Sequence, residues 1–232
     1  MYLHFTMADN PALTEEIRAR YETCYSGIFY RRFVLGEWAA AQGLIYDFFE
    51  RETFCAAAPE GEMERWRVSV DYGTANPASF GLWGLRGGVW YRVEEYYYNS
   101  RMEGRQKTDA EYVEDMRKLI GERKMETVVA DPSAASFITA LRQAGFSVEK
   151  ADNNVLDGIR ITADALKSGK IVICEGCEDC LREMEGYCWE SGNRDAPKKE
   201  NDHAMDDLRY FAMSIAKPQG GGFAATWVER EM

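Results

Sequence analysis

Three short acidic islands hold the residues of this chain best suited to chemistry: Val68-Ser-Val-Asp71-Tyr-Gly-Thr74, Val128-Val-Ala-Asp131-Pro-Ser133 and Asp202-His203-Ala-Met-Asp206-Asp207. In the first two, an aspartate follows a β-branched run. It therefore leaves the C-terminal end of a buried strand, where open α/β sheets place their ligands. In the third, the acids open a helix. Carboxylates brought to one point repel unless positive charge lies between them, and hard cations such as Mg²⁺ are held by one or two carboxylates with waters and substrate phosphate. The pattern points to a metal-dependent phosphoryl-transfer centre.

Each island also has a plainer reading. Asp71 could simply start a turn, although Gly73 lets the chain leave the strand sharply and keeps room for a metal or phosphate. Asp131 precedes Pro132-Ser133 and could cap the helix that follows, unless Ser133 supplies the cap and frees it. Asp202 sits where an N-cap belongs. His203 lies three residues before Asp206 and four before Asp207, so helical spacing alone does not choose between those two acids. On the plainer reading, the acids of this last island merely complement the helix N-terminus and the histidine is solvated.

The elements that must position these residues are legible from periodicity. Trp66 to Val70, Ser79 to Leu85 and Val89 to Tyr98 read as a three-stranded meander turned by Arg86-Gly-Gly88. A helix begins at Thr108, with Tyr112, Met116, Leu119 and Ile120 on its apolar face. A strand follows at Thr127 to Ala130, then a helix from Ser133 to Ala144 and a strand at Phe146 to Glu149. Beyond these come a helix over Val155 to Lys167, a strand at Ile171 to Ile173, a helix over Cys177 to Trp189 and a last helix over Asp202 to Ala216. The order β-β-β-α-β-α is that of an α/β, ribonuclease H-like mixed sheet flanked by helices. Residues 1–62 are aromatic and lack an obvious core of their own, with a helix start at Thr14-Glu-Glu16 and a break at Pro59-Glu-Gly61. Residues 63–217 form the regular body, and Pro218-Gln-Gly-Gly-Gly222 opens a loose tail over 218–232.

With 232 residues and 46% hydrophobic content the chain can bury a sizeable core. No apolar run approaches the length of about 18 residues needed for a membrane span, and the start lacks the regions of a signal peptide. A cytoplasmic location is expected. The net charge of −11 argues against a DNA coat that works by neutralising phosphates. It does not argue against a nuclease, since bound metals invert the charge of a carboxylate site.

The islands, together with others along the chain, resemble the C-terminal nuclease domain of tailed-bacteriophage large terminase subunits, the DNA-packaging motors. The resemblance runs through His4-Phe-Thr-Met-Ala-Asp-Asn-Pro11, Tyr25-Ser-Gly-Ile-Phe-Tyr-Arg-Arg-Phe-Val-Leu-Gly-Glu-Trp38, Gly43-Leu-Ile-Tyr46, Val70-Asp-Tyr-Gly-Thr74, Lys107-Thr-Asp109, Ala130-Asp-Pro-Ser-Ala134, Asn154-Val-Leu-Asp-Gly-Ile159 and Asn201-Asp-His-Ala-Met-Asp-Asp-Leu-Arg-Tyr210. It implies that Asp71, Asp131 and Asp206 hold two divalent metals, Mg²⁺ or Mn²⁺, with His203 one turn before the last acid. It also implies two-metal hydrolysis of double-stranded DNA, with the ions roughly 3.5–4 Å apart. His203 is expected to handle protons or water rather than metal. In the intact motor the partners are a small terminase subunit and a portal protein. A large terminase carries an ATPase ahead of the nuclease, and no G-x-x-x-x-G-K-[ST] loop occurs here, so residues 1–62 resemble the end of that ATPase and its linker. Such a chain is expected to cut DNA without translocating it, and to have no membrane partner.

DNA approaching an acidic body needs local positive charge. Arg101, Arg105 and Lys107 in one loop and Arg194, Lys198 and Lys199 in another are the candidates, the second group lying beside the last acidic helix. Two other readings compete. An actin-like or sugar-kinase ATPase also uses a strand followed by D-x-G-T, which Asp71 to Thr74 matches, but it needs two related halves and a second glycine-rich motif. A zinc-stabilised interaction module would rest on Cys174, Cys177, Cys180 and Cys188. Helical spacing instead puts Cys177 and Cys180 on one face with Met184, Tyr187 and Cys188 nearby, which favours buried thiols. Elemental analysis of protein purified without chelator is therefore expected to find no zinc; stoichiometric zinc contradicts the thiol reading.

Overall fold

Short β-branched and aromatic runs bounded by turn residues build one sheet, and longer runs with apolar residues every three or four positions cover it as helices. The structure, a computed structural model, describes residues 6–216 except 26, 38, 40, 192–194 and the side chain of Cys24. The strands are β1 (Cys55–Ala56), β2 (Arg65–Asp71), β3 (Ala78–Arg86), β4 (Val89–Tyr98), β5 (Met125–Ala130), β6 (Val148–Lys150) and β7 (Ile171–Cys174), in the spatial order β1-β7-β4-β3-β2-β5-β6. β2, β3 and β4 form the expected antiparallel meander. β5 runs parallel to β2, β6 to β5, β7 to β4 and β1 to β7, which makes the sheet mixed.

The helices are α1 (Glu15–Cys24), α2 (Gly27–Phe33), α3 (Arg51–Phe54), α4 (Asp109–Ile120), α5 (Ala135–Gln143), α6 (Val155–Lys167), α7 (Glu178–Gly186) and α8 (His203–Ala216). Val68, Val70, Phe80 and Leu82 pack on one face of the sheet against Tyr112 and Met116 of α4 and Phe137 and Leu141 of α5. On the opposite face Trp83, Ile171 and Ile173 meet Ile159 of α6, Leu181 of α7 and Leu208 and Phe211 of α8. Strand side chains alternate faces. Ser69 and Asp71 of β2 therefore turn toward α8, and so do Val129 of β5 and Asp131 just beyond it.

A charge buried in this second layer docks α8. Asp207 has no exposed surface. It accepts hydrogen bonds from Ser69 Oγ at 2.8 Å, from Ser79 Oγ, and from both terminal nitrogens of the buried Arg92, with Nη2 at 3.0 Å. Gly81 stands opposite Ser69 in the ladder and leaves the guanidinium its space, for a Cβ there would lie 2.2 Å from Arg92 Nη1. Trp83 completes the contact: its ring stacks on Phe211 with centroids 3.9 Å apart, and its Nε1 donates to Ser69 Oγ at 2.8 Å.

The structure shifts several expected boundaries. The helix expected from Ser133 begins at Ala135, because Asp131 to Ala134 form a turn first. The helix expected over Cys177 to Trp189 ends at Gly186, and Trp189 instead bridges to Pro197. β1 has no counterpart among the expected strands. It adds to the sheet edge beside β7, and Ala41, Ile45 and Tyr46 enter the same core as α8, so the segment before residue 63 is partly built into the body. Cys174, Cys177 and Cys180 are buried thiols, and Cys177 Sγ donates to the Arg92 carbonyl at 3.2 Å. Among the described residues no helix is long and apolar enough to cross a membrane. The expected tail over 218–232 lies outside the described residues.

Removing Asp207 takes from the buried Arg92 its closest counter-charge and leaves Glu95 Oε2 at 3.3 Å. Asp207→Ala is expected to cost about 3–5 kcal/mol in urea unfolding; a loss below about 1 kcal/mol contradicts the docking role. A second expectation concerns pH. Glu126 of β5 accepts from Arg65 and Arg67 of β2, which hold its carboxyl down to about 2. A depressed carboxylate stabilises above its unfolded pKa of about 4.3, and the contribution fades as pH falls toward the folded value. Glu126→Gln should therefore melt earlier than the parent at pH 7, with the gap narrowing from about pH 4 downward through the folded value of about 2. A gap that is as wide at pH 3 as at pH 7 contradicts the ion-pair account.

Candidate active site

Register brings the first two acids together. β2 and β5 are parallel neighbours paired through Val70 and Ala130, so Asp71 and Asp131 leave adjacent strands side by side. Each stands two residues after one that faces α8, Ser69 in β2 and Val129 in β5. The helix supplies the third position, because its first turn crosses these strand ends. Glu183 of α7 fixes that turn by accepting from the Ala204 N–H at 2.6 Å and from the Tyr97 hydroxyl at 2.6 Å.

Asp71, His203 and Asp206 line one cleft of about 490 Å³ together with Asn76, Arg101 and Lys199. His203 Nδ1 lies 2.9 Å from Asp71 Oδ2. Burial, reinforced by the Asp206 charge, pushes the Asp71 carboxyl up to about 6 against the pull of His203. Burial lowers the His203 pKa, but the hydrogen bond to Asp71 and the charges of Asp71, Asp202 and Glu183 outweigh it and raise the value, favouring imidazolium. Asp206 Oδ1 accepts from Arg209 Nη2 at 2.7 Å, and its Oδ2 lies 3.4 Å from Lys199 Nζ. The same ammonium stands 3.0 Å from Asp202 Oδ2.

Asp131 adjoins the cleft rather than lining it. Its Oδ1 accepts from the Ser133 N–H at 2.6 Å and its Oδ2 from the Tyr210 hydroxyl at 2.6 Å. Burial would raise its pKa, but these donors hold it below the usual carboxylate range. Asp131 is not the cap of α5, whose N-cap is Ala134, and Ser133 does not cap it either.

The donor set suits a hard divalent cation, being carboxylate oxygen at the ends of two strands and one helix. Each acid is nevertheless already committed: Asp71 to His203, Asp131 to Ser133 and Tyr210, Asp206 to Arg209 and Lys199. Among the described residues no three ligand-type side chains converge closely enough to hold a metal in this arrangement. Cation loading at this place requires the acids to move closer together.

Geometry separates the two adjacent acids that spacing left equivalent. Successive helical residues point about 100° apart. Asp206 faces the cleft, whereas Asp207 is consumed by Arg92, Ser69 and Ser79. The basic residues divide similarly. Arg101 lines the cleft, with Nη2 on Asn76 Oδ1 at 2.7 Å, and Lys199 faces it across the opening. Lys107 is taken up by Asp115 and the Tyr96 hydroxyl and lies over the Tyr98 ring at 4.2 Å. Arg105 pairs with Glu111 and Lys198 with Glu200, and neither base lines the cleft. Arg194 lies outside the described residues. Sequence reasoning missed Arg209 and Tyr210, which touch Asp206 and Asp131; their positions three and four after Asp206, on its helical face, were the available signal.

The family model described as Terminase RNaseH-like domain matches residues 69–214, more than half of the chain. A solved large terminase from a thermophilic bacteriophage, in complex with ADP, is 46% identical with a TM-score of 0.87, covering 92% of this chain and 55% of that one. The large terminase subunit of Escherichia phage T5 is 23% identical over 234 residues, 93% of this chain and 52% of its own length. The chain thus spans about half the length of these relatives. The large terminase nuclease of thermophilic phage G20c, solved with bound magnesium, shares the fold at 12% identity and a TM-score of 0.55, covering 73% of this chain and 96% of that one. The folded body from β2 through α8, with the aspartates at its strand ends and on α8, belongs to the terminase RNaseH-like domain family.

Proposed function

We propose that this chain is the divalent-metal-dependent endonuclease part of a phage large terminase, cutting concatemeric double-stranded DNA during genome packaging in the host cytoplasm. The observation that carries this reading is the meeting of Asp71 and Asp206 in one cleft with Asp131 on the neighbouring strand end. In this reading residues 63–217 are the catalytic unit and residues 1–62 lead in from an ATPase. The small terminase subunit and portal protein are the partners of the whole motor.

Asp71, Asp131 and Asp206 would hold two Mg²⁺ or Mn²⁺ ions, which supply activation of water and stabilisation of the leaving oxygen. The remaining chemistry belongs to side chains. Arg101 and Lys199 flank the acids and neutralise the DNA backbone as it enters, which an acidic body requires. His203 is held by Asp71 through Nδ1, leaving Nε2 as the ring nitrogen able to exchange protons within the cleft. Its charged form, favoured by three nearby carboxylates, suits a general acid.

Supercoiled plasmid incubated with Mn²⁺, with Mg²⁺ and with chelator tests the reading. Cutting is expected with either metal, with Mn²⁺ at least as effective, and none with chelator. Asp71→Ala should abolish cutting in a folded protein; normal cutting by that variant contradicts the assignment. His203→Ala should slow cleavage clearly at saturating Mn²⁺ while its calorimetric Mn²⁺ affinity stays near the parent's, whereas Asp206→Asn should lose both. Equal loss of metal by the two variants would make His203 a ligand.

A further inference from the structure

Two sequence islands remain without a role in the cleft: Asn154-Val-Leu-Asp-Gly158, and the Arg209-Tyr210 pair that follows the acids of α8. The structure joins them. Arg209 is 2% exposed and Tyr210 3%. Arg209 Nη2 donates to Asp206 Oδ1 at 2.7 Å, while Nη1 reaches back to the carbonyls of Asn153 and Asn154 at 3.4 and 3.3 Å. Those carbonyls are fixed because Asn154 caps α6, its side chain accepting from the Asp157 N–H at 3.1 Å. Gly158 then makes room for the arginine stem, since a Cβ there would lie 2.2 Å from Arg209 Cγ. The island at 154–158 is thus a seat for one guanidinium whose outer end grips Asp206.

Tyr210 does the equivalent for Asp131. Its ring packs with Val129 and Ala151 beneath the end of β5, and its hydroxyl donates to Asp131 Oδ2 at 2.6 Å. The Ser133 N–H takes Oδ1. With one donor on each oxygen the carboxylate plane is set, and each oxygen keeps a lone pair for another partner. An ion pair three residues apart on a helix stabilises only slightly, whereas burying a guanidinium is costly. Helix stability is therefore a poor reason for Arg209 to be buried here.

We propose that Arg209 and Tyr210 are the positioning pair of the centre, aiming Asp206 and Asp131 from behind so that two acids from different elements present fixed oxygens to divalent cations. The proposal rests on the reading that those acids bind the metals. Partners behind metal ligands orient them, and losing one typically costs about 10–100-fold in metal affinity or activity.

The test is Mn²⁺ calorimetry on the full chain, with thermal melting as a companion. Tyr210→Phe keeps the ring and deletes one hydrogen bond. Arg209→Lys keeps the charge but loses the planar fork that reaches Asp206 and α6 together. Both are expected to bind Mn²⁺ about tenfold more weakly or worse, with the melting temperature of Tyr210→Phe unchanged; if Arg209→Lys does not fold, Tyr210→Phe alone decides. Asp131→Asn and Asp206→Asn serve as references. If these bind Mn²⁺ like the parent, the assignment of the acids fails and the positioning role with it. If they lose binding while Tyr210→Phe and folded Arg209→Lys bind as the parent or tighter, the positioning role alone is overturned. Weaker binding by Tyr210→Phe that appears only with a matching fall in melting temperature also overturns it.

Discussion

The buried ion pair between Arg92 and Asp207 governs the geometry on which the rest depends. Burying two charges is repaid only when the geometry is excellent and further hydrogen bonds satisfy the ionised groups. Here Ser69, Ser79 and both terminal nitrogens of Arg92 fix one rotation and one height for α8 over β2 and β3. Apolar contact through Phe211 and Leu208 would tolerate sliding by a fraction of a turn; a charge with four donors around it does not. Asp206 and His203 are on the same helix, so their placement against Asp71 follows from an interaction that never touches the cleft.

The second constraint is electrostatic. The centre gathers Asp71, Asp202, Asp206 and His203 around one cleft in a chain that is already strongly acidic. The fold answers with donors placed on each acid: imidazole on Asp71, guanidinium on Asp206, phenol and amide on Asp131, with the Lys199 ammonium between Asp202 and Asp206. These contacts hold the acids at defined positions before any cation arrives. Those from within the cleft, the His203 imidazole and the Lys199 ammonium, also set the competition a cation faces, since a hard dication that replaces such a contact must return more than the contact it displaces.

Much of this is legible in the sequence because it is local. Alternation in β2, β3 and β5 determines which residues face α8, and helical spacing places His203 and Asp206 on one side of their helix. What is not legible depends on partners distant in sequence. Asp206 and Asp207 are equivalent by spacing, and partners far away in sequence, Arg92 at 115 residues together with Ser69 and Ser79, distinguish them. Lys107 reads as available for DNA until Tyr96 and Asp115 close on it. β1 is two residues long and too short to carry a pattern. Gly158 carries no sign of its purpose until Arg209 is seen in the notch it leaves.

Anomalous scattering at the manganese edge from a crystal grown with Mn²⁺ addresses the centre directly, because it locates the ions without reference to activity. Two peaks bounded by the carboxylates of Asp71, Asp131 and Asp206 are the predicted result, with Asp207 still paired to Arg92. Peaks held by Asp207, or by the cysteines at the head of α7 with none among the three acids, would contradict the account.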